Sequence, residues 1–211
     1  IMVTASHNPP EYNGYKVFWS DGKQVTAPFD KQIIDQYYGQ EGFGQIKMIS
    51  FEEGEKNGFI HWVGEDVENE YHNSIQTRVI DPELCKSRGP ELKFVYTPIH
   101  GSGLVPCTTI FDRVGLTNYE VVPEQREPDE TFRTVTSPNP ENPSALKLAT
   151  DLMTKNNADL AFGSDPDADR VGVAVNHNSE IHYLSGNQIG LLMFHYICEN
   201  LKSQNKLESS A

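Results

Sequence analysis

Three aspartates at alternate positions, Asp165, Asp167 and Asp169, stand in a short Gly163–Arg170 stretch that also contains Pro166. A tight turn of this kind gathers three hard anionic oxygens around one point, which is strongly self-repelling unless a divalent cation sits among them. Magnesium suits such a donor set. A simply solvated acidic turn is the other reading, but an apolar strand enters the loop, another leaves it, and Arg170 follows at once. At the other end of the chain, Ser6 closes an apolar stretch and is followed by His7, Asn8 and the stiff Pro9-Pro10 pair. Asn13-Gly14 then turns the chain back, so that Lys16 could address the same point. This combination fits phosphoryl transfer, which asks the protein for positioning, a cation and fixed positive charge rather than for much covalent chemistry.

Competing chemistries fit less well. An EF-hand loop beginning at Asp165 needs glycine at its sixth position and glutamate at its twelfth, where Arg170 and Asn176 stand. An aspartyl-phosphate enzyme of the haloacid-dehalogenase type needs threonine or valine where Asp169 lies. No GxSxG elbow occurs, so acyl transfer lacks support. His7 could bond a seryl phosphate, move a proton or merely shape its turn. Gly101-Ser102-Gly103 after His100 could admit a phosphate to backbone N–H groups or be a plain tight turn. The remaining histidines lack ligand spacing, and the tryptophans sit in core-like settings.

The elements that must position these residues follow from periodicity. A hairpin is expected from 15–19 and 22–26, a helix from Pro28, and an amphipathic helix from Asp66 through Val67, Tyr71, Ile75 and Val79 that Pro82 interrupts or restarts. Beyond a polar break at 87–90 come strand 92–97, helix 105–114, strand 119–122, helix 144–156, strand 160–162 and strand 171–175. Alternating strands and helices imply an α/β fold with mixed, mainly parallel sheets, right-handed crossovers and ligands at the carboxyl ends of the strands. A last helix, 187–201, carries an apolar stripe.

The chain has 211 residues, 37% of them hydrophobic, enough for a core without disulfides. Its net charge of −13 argues against nucleic acid and anionic membranes as partners, and requires local positive charge, from Lys16 and Arg170, at any phosphate site. Three scattered cysteines and no targeting or spanning segment fit a cytoplasmic protein. The chain opens on an apolar strand without an initiator methionine, and little sequence follows the last helix to cover its stripe. A fragment of a longer enzyme is therefore expected.

TASHNPPEYNGYK (Thr4 to Lys16) and DPDADR (Asp165 to Arg170) resemble the serine loop and metal loop of the α-D-phosphohexomutases. YTPIHGSG (Tyr96 to Gly103), VPEQREPDETF (Val122 to Phe132) and PNPENPSAL (Pro138 to Leu146) resemble the phosphoglucomutase/phosphopentomutase branch. The resemblance implies a mutase of sugar phosphates in which Ser6 is the phosphoserine and a bisphosphorylated sugar turns over in the site. Ser6, Asp165, Asp167 and Asp169 would hold one Mg2+, Lys16 would assist proton transfer, and Arg170 would contact phosphate. His7 would join the catalytic group, and Asn8, His100 and Gly101 the phosphate-binding rim. It also implies a four-domain enzyme, with 1–88 the latter part of domain 1, 89–185 domain 2 and 186–211 the start of domain 3, the remaining domains belonging to the same polypeptide. A catalytically incomplete metal-binding or regulatory module, and a hydrolase using the same metal, are the alternatives.

Overall fold

The computed structural model describes residues 1–40, 42, 44 and 46–206. It divides into two compact units: Ile1–Thr4 with Asn13–Glu70, and Ala5–Tyr12 with Tyr71–Ala211.

In the first unit, β1 (Met2–Val3) pairs antiparallel with β2 (Tyr15–Lys16). The expected hairpin is present, closed by Val25 N–H on Val17 O and Trp19 N–H on Lys23 O. Its loop is Ser20-Asp21-Gly22, and Gly22 takes φ 79°, the left-handed conformation that a three-residue hairpin loop of this type requires. The helix expected from Pro28 is α1 (Phe29–Tyr38), and α2 (Phe51–Lys56), capped by Ser50, was not foreseen. The unit division falls within α3 (Glu65–Gln76).

After the end of α3, the second unit continues with α4 (Pro82–Arg88), so Pro82 restarts a helix rather than kinking one. Proline at the first helical position loses no hydrogen bond, and the Asp81 side chain caps the end by accepting from Leu84 N–H. A single five-stranded sheet follows, in the order β4 (Tyr119–Val121), β3 (Phe94–Thr97), β5 (Leu160–Ser164), β6 (Val171–His177), β7 (Glu180–Leu184). β4, β3 and β5 are parallel, and β6 and β7 are antiparallel additions. The fold class is thus the mixed α/β arrangement expected. β7 was not placed from the sequence: its turn, Asn178-Ser179, lacks glycine, yet both residues adopt positive φ, 52° and 66°, as a two-residue hairpin demands.

Strand alternation sorts the core into two layers. Phe94 and Tyr96 point to α5 (Leu104–Val114) and meet Phe111, whereas Val95 points the other way, to Ala149 and Met153 of α6 (Lys147–Asn156). Phe94 is 5.4 Å from Phe111 edge-on and 5.3 Å from Phe162 stacked, so truncating it to alanine would cost about 3–5 kcal/mol. The helix expected from residue 144 begins only at Lys147, with Ala145 and Leu146 already buried in the preceding turns.

The strand order carries a consequence for the site. The chain leaves β3 for β4 on one side, then returns through α6 to β5 on the other, so the order reverses between β3 and β5, and the segments that follow these two strands lie side by side at their carboxyl ends. Parallel sheets form their ligand crevices where the order reverses in this way. The acidic loop is the segment after β5, and the Pro98–Gly103 turn is the segment after β3. A final helix, α7 (Gly186–Ser203), is capped by a Ser185/Gln188 capping box.

Candidate active site

Residues 5–12 belong to the second unit, and they bring Ser6 to the acidic loop. The turn is closed by Ala5 O, which accepts from both the backbone N–H (3.1 Å) and the side-chain amide (2.9 Å) of Asn8. Asn8 therefore shapes the turn. Ser6 itself sits at φ 54°, a conformation that costs a non-glycine residue about 1–2 kcal/mol and that here aims its hydroxyl inward. Ser6 O–H donates to Asp165 Oδ2 at 2.7 Å, across 159 positions of sequence. Ser6 Oγ also lies 3.1 Å from His7 Nδ1; with the Ser6 hydroxyl donating to Asp165, Nδ1 is the donor of that contact.

Asp165 is fully buried and engaged on both oxygens. Oδ1 accepts from the N–H groups of Asp169 and Arg170, each at 3.0 Å, while Oδ2 serves Ser6. Ala168, at φ 59°, bends the loop so that these amides point inward. Burial pushes the Asp165 carboxyl above the usual carboxylate range; the Ser6 bond pulls it down, and Asp167 pushes it up again. One oxygen from each of Asp165, Asp167 and Asp169 lies within 4.8 Å of the other two, with Asp167 half-buried and Asp169 exposed. A buried carboxylate crowded by a second one, with a third at the rim, is a site that a hard divalent cation fits and stabilises.

A second turn supports this loop from β3. Ser102 N–H and Ser102 O–H both donate to Pro166 O at 2.9 Å. Gly101 touches the Pro166 backbone so closely that any side chain there would overlap it, and Gly103 lies against Tyr96, Ser164 and Ala168. Tyr96 and Ser164 are hydrogen-bonded at 2.8 Å, and burial raises the Tyr96 phenol far above its ordinary value.

The residues expected from the sequence are thus distributed as follows. Ser6, His7, Asp165, Asp167 and Asp169 converge, and Arg170 contributes its backbone N–H while its side chain is exposed. Gly101 serves as a close-packing position beneath the acidic loop. His100 is 2% exposed, with Nδ1 on Glu127 O (3.0 Å) and Nε2 on Thr134 Oγ1 (2.9 Å), so its ring is enclosed by protein rather than offered to a ligand. Lys16 lies on β2 of the first unit. Sequence reasoning missed the bracing roles of Thr97, Gln125 and Thr134, since nothing in their types or spacing distinguishes bracing groups from surface ones; Ser102, exposed, stood in the noted 100–103 turn but its bonds to Pro166 were not foreseen.

Residues 69–178 match the family model described as phosphoglucomutase/phosphomannomutase, alpha/beta/alpha domain II, and residues 1–42 match that of domain I. The chain belongs to the phosphoglucomutase/phosphomannomutase family. It is 35% identical to a phosphoglucomutase of Staphylococcus epidermidis over 93% of this chain and 35% of that protein. It is 36% identical to a phosphoribomutase of Saccharomyces cerevisiae over 98% of this chain and 35% of that protein. The crystal structure of a putative phosphomannomutase from Thermus thermophilus shares the fold, with a TM-score of 0.67 at 21% identity over 92% of this chain and 40% of that one. The chain spans about a third of the length of the curated relatives it matches.

Proposed function

We propose that this chain is the phosphoryl-carrying part of a phosphosugar mutase, an isomerase moving phosphate between C1 and C6 of a hexose, or C1 and C5 of a pentose. The observation that carries the reading is the 2.7 Å bond from Ser6 O–H to Asp165, itself one of three clustered carboxylates. Phosphoserine is an alkyl phosphate ester, so its exchange with a sugar hydroxyl runs in either direction with little driving force. In each transfer the Oγ–P bond breaks as the bond from phosphorus to a sugar oxygen forms, and the hydroxyl proton passes to a base. The sugar bisphosphate so formed turns over and returns its other phosphate to Ser6.

Asp165, Asp167 and Asp169, with an oxygen on Ser6, are the proposed ligands of one Mg2+. When bound, the ion supplies charge neutralisation at the phosphoryl oxygens. Ser6 carries the phosphoryl group, His7 steadies Oγ, and the Arg170 N–H holds Asp165 in place. Lys16 as proton-transfer group, and Arg170, Asn8 and the 100–101 turn as phosphate contacts, rest on the resemblance alone. The division into 1–88, 89–185 and 186–211 is likewise a proposal, as is a sugar phosphate as the small-molecule partner.

The chain by itself is proposed to be nearly inactive. Its short coverage of its relatives supports this, as does the exposure of Leu191 (70%) and Phe194 (68%) on α7, apolar groups that suit burial against further domains of the same polypeptide. The test is a coupled assay of the full-length protein on hexose and pentose 1-phosphates with a sugar bisphosphate as primer. Ser6→Ala should lower turnover by about 10³-fold or more and abolish the single phosphate seen by intact mass. Phosphate release without isomerisation would favour a hydrolase instead.

A further inference from the structure

Next to the turn that braces the acidic loop runs a series of buried and part-buried hydrogen bonds that the mutase chemistry does not require. Ile99 N–H donates to Thr97 Oγ1 (3.0 Å), Thr97 O–H donates to Gln125 Oε1 (2.7 Å), and Gln125 Nε2–H donates to Thr134 Oγ1 (3.0 Å). Thr134 Oγ1 also lies 2.9 Å from His100 Nε2, and His100 Nδ1 lies 3.0 Å from Glu127 O. Thr97 and Gln125 are fully buried and His100 nearly so. Glu127 O is a carbonyl and only accepts, so His100 Nδ1 carries a proton; with a neutral ring, Nε2 accepts the Thr134 hydroxyl, which leaves the Thr134 oxygen to accept from Gln125. Each side-chain polar atom in the series has a partner, which favours one arrangement of the turn over others.

That turn is the one that holds the acidic loop. Ile99 and His100 adopt positive φ, 46° and 60°, conformations that non-glycine residues keep only when their surroundings enforce them. Immediately after them, Gly101 packs on Pro166 and Ser102 gives two bonds to Pro166 O. Pro166 stands between Asp165 and Asp167. We infer that Thr134, through Gln125 and His100, is a positioning residue that sets the geometry, and hence the metal affinity, of the Asp165/Asp167/Asp169 cluster. This rests on the cluster being a cation site. Groups that orient ligands without touching the ion change affinity by about 10–100-fold when removed.

Thr134→Val keeps the shape but removes the hydroxyl, leaving His100 Nε2 and Gln125 Nε2 facing a methyl group, whereas Thr134→Ser keeps the hydroxyl. Mn2+ serves as the probe, titrated calorimetrically into the 211-residue chain, with melting in EDTA as the measure of folding. Thr134→Val should weaken Mn2+ binding by about tenfold or more, and Thr134→Ser should restore it to within about twofold. Amide exchange gives a readout independent of metal: in EDTA the Asp169 and Arg170 amides should exchange about tenfold faster in Thr134→Val, with β3 and β5 unchanged. Unaltered Mn2+ affinity together with unaltered exchange at 169–170 would overturn the inference. So would a loss of binding that Thr134→Ser fails to rescue. If the parent chain binds no Mn2+, the cation reading fails, and amide exchange alone decides the positioning role. Should Thr134→Val not fold, Ser102→Ala, which removes one exposed bond to Pro166, should still weaken Mn2+ about threefold; no change there counts against the inference.

Discussion

Ser6 has one proton, and it gives that proton to a carboxylate that is already crowded by another. Phosphorylation would replace it with a group of about −1.5 to −2 charge at the same place. At roughly 4 Å and an effective dielectric constant near 20, each like-charge pair costs about 4 kcal/mol, so the phosphorylated loop depends on a cation far more than the free one. Chelation should therefore lower Tm of the Ser6-phosphorylated protein by at least about 5 °C more than that of the unphosphorylated protein, given that ~1 kcal/mol moves Tm by about 2–4 °C at this size. Equal shifts in calorimetry would refute the dependence. Asp165 adds a pH effect of defined sign. Its folded value is raised above the unfolded value of about 3.9, so between the two the native state binds more protons than the unfolded one, and stability falls as pH rises through that window. Melts in EDTA from pH 4 upward should show this falling limb, and Asp165→Asn should flatten it; a limb rising in EDTA would contradict the assignment.

At the scale of elements, the sequence was most informative where a physical rule admits one answer. The continuous apolar run Phe94, Val95 and Tyr96, which suits a strand buried on both faces, and the helical spacing between Leu104 and Val114 identified β3 and α5. The acidic loop was legible because three like charges in one turn need an explanation that a surface loop does not, whereas its pairing with Ser6, 159 positions away, was implied by the family resemblance and not by spacing. β7 was not legible because the Asn178-Ser179 turn reaches positive φ without glycine; without that turn signal the polar–apolar alternation of Glu180, Ile181, His182 and Tyr183 stays unassigned. The ring of His100, which the resemblance puts at the phosphate-binding rim, is enclosed by protein, and its glycine neighbours let two turns touch. This gives a test. Gly101→Ala should destabilise the chain by about 1–3 kcal/mol in urea titration, because the new methyl would overlap the Pro166 backbone and neither turn has room to yield. It should also weaken Mn2+ binding. Gly190→Ala in α7, where nothing lies within 4 Å, should instead stabilise by about 0.5–1 kcal/mol. Matching effects at the two positions would show that close packing is not what Gly101 provides.

At the scale of the molecule, β3 of the second unit is buried along its whole length, yet α7 has no buried residue along its 18 positions although it begins with a full capping box. Caps and propensity alone leave a helix marginal, and most helical stability in proteins comes from burying an apolar face. Leu191, Leu192, Met193 and Phe194 are all more than half exposed, and α1 likewise presents Tyr37 and Tyr38. Such surfaces, together with a chain spanning about a third of its relatives, are what a piece of a larger assembly of domains would present. Phe194→Glu separates that reading from a helix that is simply tolerant. In the 211-residue chain the substitution touches no core, so the second unit should keep its stability to within about 0.5 kcal/mol. In a full-length protein whose further domains bury Phe194, the same change would place an unpaired carboxylate in an apolar contact and should cost about 3 kcal/mol or more, seen as a lower urea midpoint and lost turnover. Equal and negligible effects in both proteins would mean that α7 is exposed in the whole enzyme as well, and that its apolar stripe is not an interdomain contact.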